Sequence, residues 1–160
     1  MTILFSKSND MQKQYFIPFL IAAAFITAGT SCQKDAAAPK TKTELLTQAS
    51  WKFSTASASG TDITNNAAIA CIKDDVISFT SSNTGTITEG TIVCSPTTAG
   101  SFTWSFQTSE TQLQMSSGIY PAGSGLFTIT ALTETSLTIT QNVVIPPSSS
   151  AIPVSATYIH

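Results

Sequence analysis

In "SFTWSFQ", Phe102, Trp104 and Phe106 fall on one side of an extended chain, and Thr103 and Ser105 fall on the other. This period of two recurs through "WKFSTAS" (Trp51, Phe53), "DVISFT", "TGTITEGTIV", "TQLQMSS" (Leu113, Met115), "GLFTITAL" (Phe127, Ile129, Ala131), "SLTITQNVV" (Leu137, Ile139) and "PVSATYI" (Val154, Ala156, Tyr158). Thr and Ser fill the polar positions, a composition that suits a pleated, half-buried surface. About eight short strands in serial order, joined by turn clusters, predict an all-β up-and-down antiparallel meander. A meander of that length best removes its exposed edges by closing into an eight-stranded barrel. At eight strands the interior either fills with side chains or holds one small ligand. An immunoglobulin-like sandwich is the alternative. There the bridging cysteines join two sheets around a Trp, whereas Cys71 and Cys94 bracket one hairpin and precede Trp104.

The strands begin only after a long non-β start. From Met11, a plausible true start, Lys13 leads into an apolar stretch, Tyr15 to Ile26, that ends in small residues. This reads as an export signal over residues 1–31, too short for a comfortable transmembrane helix of ~20 apolar residues. "GTSC" resembles the lipobox of bacterial lipoproteins, with Gly29 where that motif usually carries Leu, Val or Ile. The resemblance implies lipid attachment (palmitate among the acyl chains) at Cys32. The membrane then holds the protein through its N-terminal lipid. Each buried methylene contributes ~0.8 kcal/mol, so two or three chains anchor a domain almost permanently. Gln33 is not an inner-membrane retention residue by the same resemblance, so the expected address is the outer membrane, on its periplasmic face or the cell surface. "CQKDAAAPKTK", residues 32–42, reads as a flexible tether, and 43–160 as the folded domain. At its start Thr43 is placed to cap a short helix that turns Leu45 and Leu46 inward.

Cys71 and Cys94 remain, and the hairpin between them brings its own ends together. In an exported protein this predicts a Cys71–Cys94 disulfide, ahead of two buried thiols or a metal pair. A structural zinc site wants four ligands, and the single histidine is His160, at an expected frayed terminus.

"ELLTQASWKF", a short helix running into a Trp-led strand, is similar to the opening of lipocalin-like domains. The series Cys71, Lys73, Asp74, Asp75, Phe79, Gly85, Glu89, Gly90, Cys94 resembles the central hairpin of lipocalin-like lipoproteins of Bacteroidetes, and "GSFTWSF" the strand after it. The resemblance covers 43–160 and implies a barrel. It implies no agreed activity.

Charged residues make up 10 % of the chain, net charge is −2, and Arg is absent. That gives no field for nucleic acid, which needs clustered Lys and Arg. No positioned base accompanies a nucleophile, so no catalytic residue, metal site or cofactor is expected and the protein is read as a non-enzyme. Asp74 and Asp75 are adjacent, so on a strand they would point to opposite faces as solvated charges. A calcium role, with Asp62 and Asn65 as nearby oxygen ligands, is the lesser reading of the same acids. The aromatic set, Trp51, Phe53, Phe79, Phe102, Trp104, Phe106 and Phe127, is either a packed core or the lining of a pocket for a small apolar ligand. Binding such a ligand is the first functional expectation. The second is a structural or protein-interaction role, as an assembly partner or enzyme inhibitor, through a loop at 57–70 or 116–125.

Overall fold

The computed structural model of the chain describes residues 38–119, 123–144 and 149–160. The signal segment, Cys32, most of the tether, and parts of the 116–125 loop and of the "IPPSSS" turn lie outside them.

A six-residue helix, α1 (Lys42–Thr47), opens the domain. Its cap is Thr41, not Thr43, because Glu44 stands three residues after Thr41 and completes a capping box. The Thr41 amide donates to Glu44 Oε2 at 2.7 Å and the Glu44 amide to Thr41 Oγ1 at 3.2 Å. Leu46 is fully buried, Leu45 half-buried. At the helix end, where carbonyls lack intrahelical partners, the Leu46 carbonyl accepts the Trp51 indole N–H at 2.9 Å. Lys42 Nζ donates to the Glu110 carbonyl and Gln48 Nε2 to the Glu134 carbonyl, so α1 is tied to two strand-joining turns.

Among the described residues nine strands form one antiparallel sheet. They are β1 (Trp51–Ala58), β2 (Thr61–Asp62), β3 (Val76–Phe79), β4 (Thr84–Thr88), β5 (Gly100–Gln107), β6 (Gln112–Ile119), β7 (Gly123–Leu132), β8 (Ser136–Val144) and β9 (Ala151–Ile159). Each strand from β3 onward pairs with the next, and β9 returns to β1, from Lys52↔Ile159 to Ala58↔Val154. The sheet therefore closes as an up-and-down barrel of β1 and β3–β9, with β2 an extra strand on β1. Closure excludes the sandwich alternative, whose two sheets stay separate.

The alternation does what its period requires. Along β8 and β9, paired without a break from Ser136↔Ile159 to Val144↔Ala151, Leu137, Ile139, Ala156 and Tyr158 are buried. On the other face Thr138 meets Thr157 at 3.0 Å and Thr140 meets Ser155 at 2.7 Å, cross-strand hydroxyl pairs that hold the sheet without charge.

The seam between β1 and β3 is the exception, paired only at Trp51↔Ile77 and Lys52↔Val76. Beyond it, β1 turns through Ser59 and Gly60, both at positive φ (51° and 81°), into β2. That is the backbone a two-residue hairpin needs. A 3-10 helix, Ala67–Ile72, follows, N-capped by Asn66, whose Oδ1 accepts the Ala68 amide at 2.9 Å. It buries Ile69 and ends beside Cys71. The expected 57–70 loop is thus mostly ordered structure, because Ile69 has an apolar place to go.

Candidate functional site

Trp51, Phe79, Phe102, Trp104 and Phe127 are buried, and Phe53 and Phe106 pack against them half-buried. Phe79 meets Phe102 edge-on at 5.4 Å and Trp104 at 5.9 Å, and Trp104 meets Phe106 at 5.4 Å. Such edge-to-face pairs add to burial itself. Leu46, Leu113, Met115, Leu137 and Ile139 belong to the same cluster. The Trp104 indole N–H is used internally, on the Thr84 carbonyl at 3.0 Å, and that of Trp51 on Leu46. Neither Trp keeps its polar end for a ligand. Gly85 makes the stack fit: it stands in register between Phe79 and Phe102, and a Cβ there would overlap the Phe102 ring and lie 2.6 Å from the Ser78 carbonyl. A shallow cleft of about 440 Å³ lies over hydroxyls, Thr84, Thr86, Ser101 and Thr103, of β4 and β5.

The more elaborate construction lies after β4. Alternation in "TGTITEGTIV" predicts a strand to Val93, yet pairing stops at Thr88, and Glu89–Ala99 is a loop. Gly90 marks the break. A Cβ on it would collide with the carboxylate of Asp74. Asp74 Oδ2 accepts the Thr91 amide at 2.6 Å, the Thr91 hydroxyl at 2.9 Å and the Ile92 amide at 3.1 Å. Those bonds, the Ile92 amide foremost, hold its carboxyl below the ordinary value. Glu89 ties the other half. Its Oε2 accepts the Thr97 hydroxyl at 2.5 Å, and its Oε1 accepts the Thr98 amide at 2.9 Å and the Cys94 amide at 3.0 Å. Led by the Thr97 hydroxyl, these donors pull the Glu89 carboxyl down to about 2. Cys94 is bonded to Cys71, as expected, with the Cα atoms 5.1 Å apart.

Asp75 is the more deeply buried of the three carboxylates, 5 % exposed where Asp74 and Glu89 are half-buried; its Oδ1, like that of Asp74, has no hydrogen-bond partner. Burial raises the Asp75 pKa first; a hydrogen bond from Thr98 lowers it, the like charges of Glu89 and Asp74 raise it, and the Gly90 amide lowers it, with a net rise. The expectation of solvated charges on opposite strand faces fails because both residues precede β3 and turn into the Glu89–Ala99 loop instead.

Between these ties the chain carries Ile92 and Val93 in the open, 51 % and 64 % exposed. Leu126, Val144 and Ile159 are also exposed, at 41 %, 52 % and 43 %, but Ile92 and Val93 are adjacent and sit on a backbone held by a disulfide and two carboxylates. Asp74, Asp75, Glu89, Gly90 and the two cysteines build this loop. The available signal was Glu-Gly inside an alternating run, followed by "SPTTAG".

His160 is not frayed. Its ring lies 3.9 Å from that of Trp51, and its nitrogens reach the Ser50 carbonyl at 3.0 Å and Gln48 Nε2 at 3.1 Å. Asp62 Oδ1 accepts the Thr64 amide at 2.8 Å, while Asn65 Oδ1 accepts Lys73 Nζ at 2.9 Å, so the two residues serve separate local bonds. Among the described residues no three His, Cys, Asp or Glu side chains converge as metal ligands. Fold and site together define a disulfide-tied up-and-down β-barrel that presents one pinned loop. No family model matches the chain, and no curated protein is similar to it.

Proposed function

We propose that this is a non-enzymatic protein-binding module of the cell envelope, held at the outer membrane by lipid on Cys32. Its barrel is a packed scaffold and its Glu89–Ala99 loop the contact surface. The observation that carries the reading is the exposure of Ile92 and Val93 on a backbone already fixed by Asp74, Glu89 and Cys94. A loop ordered before contact loses little entropy on binding, so two aliphatic anchors entering an apolar pocket contribute more of their burial to affinity. The disulfide supports an oxidising, exported setting. The sequence resemblance of "GTSC" to a lipobox, and of the Cys71–Cys94 hairpin to lipocalin-like lipoproteins, supports the anchored address. A photo-crosslinking residue at Val93, introduced into the full-length protein in its native envelope, is expected to give one discrete protein adduct. The adduct disappears with Ile92→Asp and is absent when the crosslinker sits at Thr128. Equal adducts from both positions, or none, defeat the reading.

One observation favours a small apolar ligand instead. Gln141 continues the inward series of Leu137 and Ile139, its Oε1 is buried without a partner, and a Cβ on Gly125 would lie 3.2 Å from its Nε2. An amphiphile with a hydroxyl would satisfy that oxygen. Native mass spectrometry of protein from its own envelope, showing a stoichiometric bound amphiphile, would favour this second reading.

A further inference from the structure

We propose that Asp75, Thr98 and Glu89 form a proton-operated latch that sets how firmly the Glu89–Ala99 loop is held. The inference rests on the reading of that loop as the contact surface.

Thr98 Oγ1 stands between two carboxylates, 3.0 Å from Asp75 Oδ2 and 3.1 Å from Glu89 Oε1. A hydroxyl has one proton to donate. With both acids ionised, Thr98 serves one of them and leaves the other without its bond. With one proton added, the three groups join in series through Asp75 Oδ2: the Asp75 carboxylic acid donates to Thr98 Oγ1, and Thr98 donates to the Glu89 carboxylate. The proton belongs on Asp75. Glu89 already accepts two backbone amides and the Thr97 hydroxyl, which favour its ionised form, whereas Asp75 is buried with Oδ1 unpartnered.

Among the described residues no cation acts on Asp75 to compensate. The charges that act on Asp75 are Glu89, from the loop, and Asp74, on its own segment, both acidic. The neighbouring 3-10 helix Ala67–Ile72 and strand β5 contain no charged residue. On β1, Lys52 is exposed, and Lys73 is engaged by Asn65. Protonation therefore removes one of three clustered negative charges and completes a chain from the start of β3 to the end of the loop. Its loss splits that chain at Thr98 and leaves two like charges facing one hydroxyl. The latch is closed in acid and loosens as the pH rises through the Asp75 titration.

The test uses the purified, disulfide-bonded protein without any partner, so it stands or falls separately from the crosslinking experiment. Carboxyl carbon NMR follows Asp75 directly. Amide hydrogen exchange at Cys94 and Thr98, corrected for the intrinsic pH dependence of exchange, reports the loop. Protection at both amides is expected to fall roughly three- to tenfold as Asp75 ionises, the factor one hydrogen bond is worth. In Asp75→Asn the side-chain amide donates to Thr98 at every pH, so protection stays high and flat. In Thr98→Val protection is low and flat. An Asp75 carboxyl that titrates at or below the ordinary aspartate value overturns the latch, and needs no variant to fold. So does wild-type protection that ignores the Asp75 titration, or an Asp75 resonance that moves on addition of millimolar calcium, which would make the acids a cation site.

Discussion

Gly90 and the carboxylate of Asp74 occupy adjoining space so closely that no side chain fits between them: a Cβ on Gly90 would lie 2.8 Å from the Asp74 Cβ and overlap the carboxyl group beyond it. The glycine is what lets Asp74 reach the Thr91 and Ile92 amides. Gly90→Ala is expected to destabilise the fold by about 1–3 kcal/mol, the range for overpacking a fixed site. In an Asp74→Ala background the same substitution should cost much less, because the obstructing group is gone. A double-mutant cycle by urea unfolding measures the difference. Equal costs in both backgrounds would contradict the packing relation.

The disulfide closes the segment between the 3-10 helix and the loop, with a sequence separation of 23 residues. Paired Cys71→Ser and Cys94→Ser substitutions are expected to lower stability by about 3 kcal/mol in the chain-entropy account. The barrel should persist, since the strand ladders from β3 round to β1 do not pass through the bridge. Far-ultraviolet circular dichroism should stay β-rich, while Ile92 and Val93 gain motion measurable by NMR relaxation.

The two carboxyls that meet at Thr98 respond to acid with opposite sign. Glu89 has a folded pKa of about 2 against an ordinary 4.5, so its stabilisation is present above pH 4.5 and fades as the pH falls toward about 2. Asp75 is raised, chiefly by burial. Its contribution is complete below its ordinary value of 3.8 and is lost as the pH rises through the folded value. Glu89→Gln should therefore flatten the acid limb of the stability curve. Asp75→Asn should match wild type in acid and gain on it steadily toward neutrality. Unfolding midpoints across pH 2–8 decide it, and an Asp75→Asn advantage that grows in acid would reverse the assignment.

The strands were legible because burial on one face imposes a period of two, and "SFTWSFQ" or "SLTITQNVV" show it without interruption. The closure also followed from the number of strands and their serial order. Interruptions were harder to see. "TGTITEGTIV" keeps its alternation past the point where the strand ends, since Thr91, Ile92 and Val93 are shaped as strand residues but are drawn off by Asp74, which lies earlier in the sequence. Alternation cannot report a bond to a distant carboxylate. For the same reason Asp75 looked solvated. Its burial comes from Thr98 and Glu89 across the loop, partners the local pattern does not contain. Thr43 opens "TELL" and so has the local look of a cap, whereas the Glu three residues after Thr41 completes the reciprocal pair.

The aromatic residues admit a sharper test than their composition did, because the two readings of them predict opposite responses to truncation. Phe127 is fully buried within the cluster that also contains Leu113 and Leu137. If the barrel is a filled scaffold, Phe127→Ala removes packed volume, costs about 3–5 kcal/mol, and leaves an apolar hole that takes up a small aromatic molecule. Benzene or indole should then raise the thermal midpoint of the variant and leave wild type unchanged. If the rings line a ligand pocket, wild type already binds such molecules and Phe127→Ala costs far less, since that face had no packing partner to lose. The edge-to-face contacts of Phe79, Phe102, Trp104 and Phe106 favour the first outcome. Thermal melts with and without benzene separate the two, because only a filled core makes the variant alone responsive.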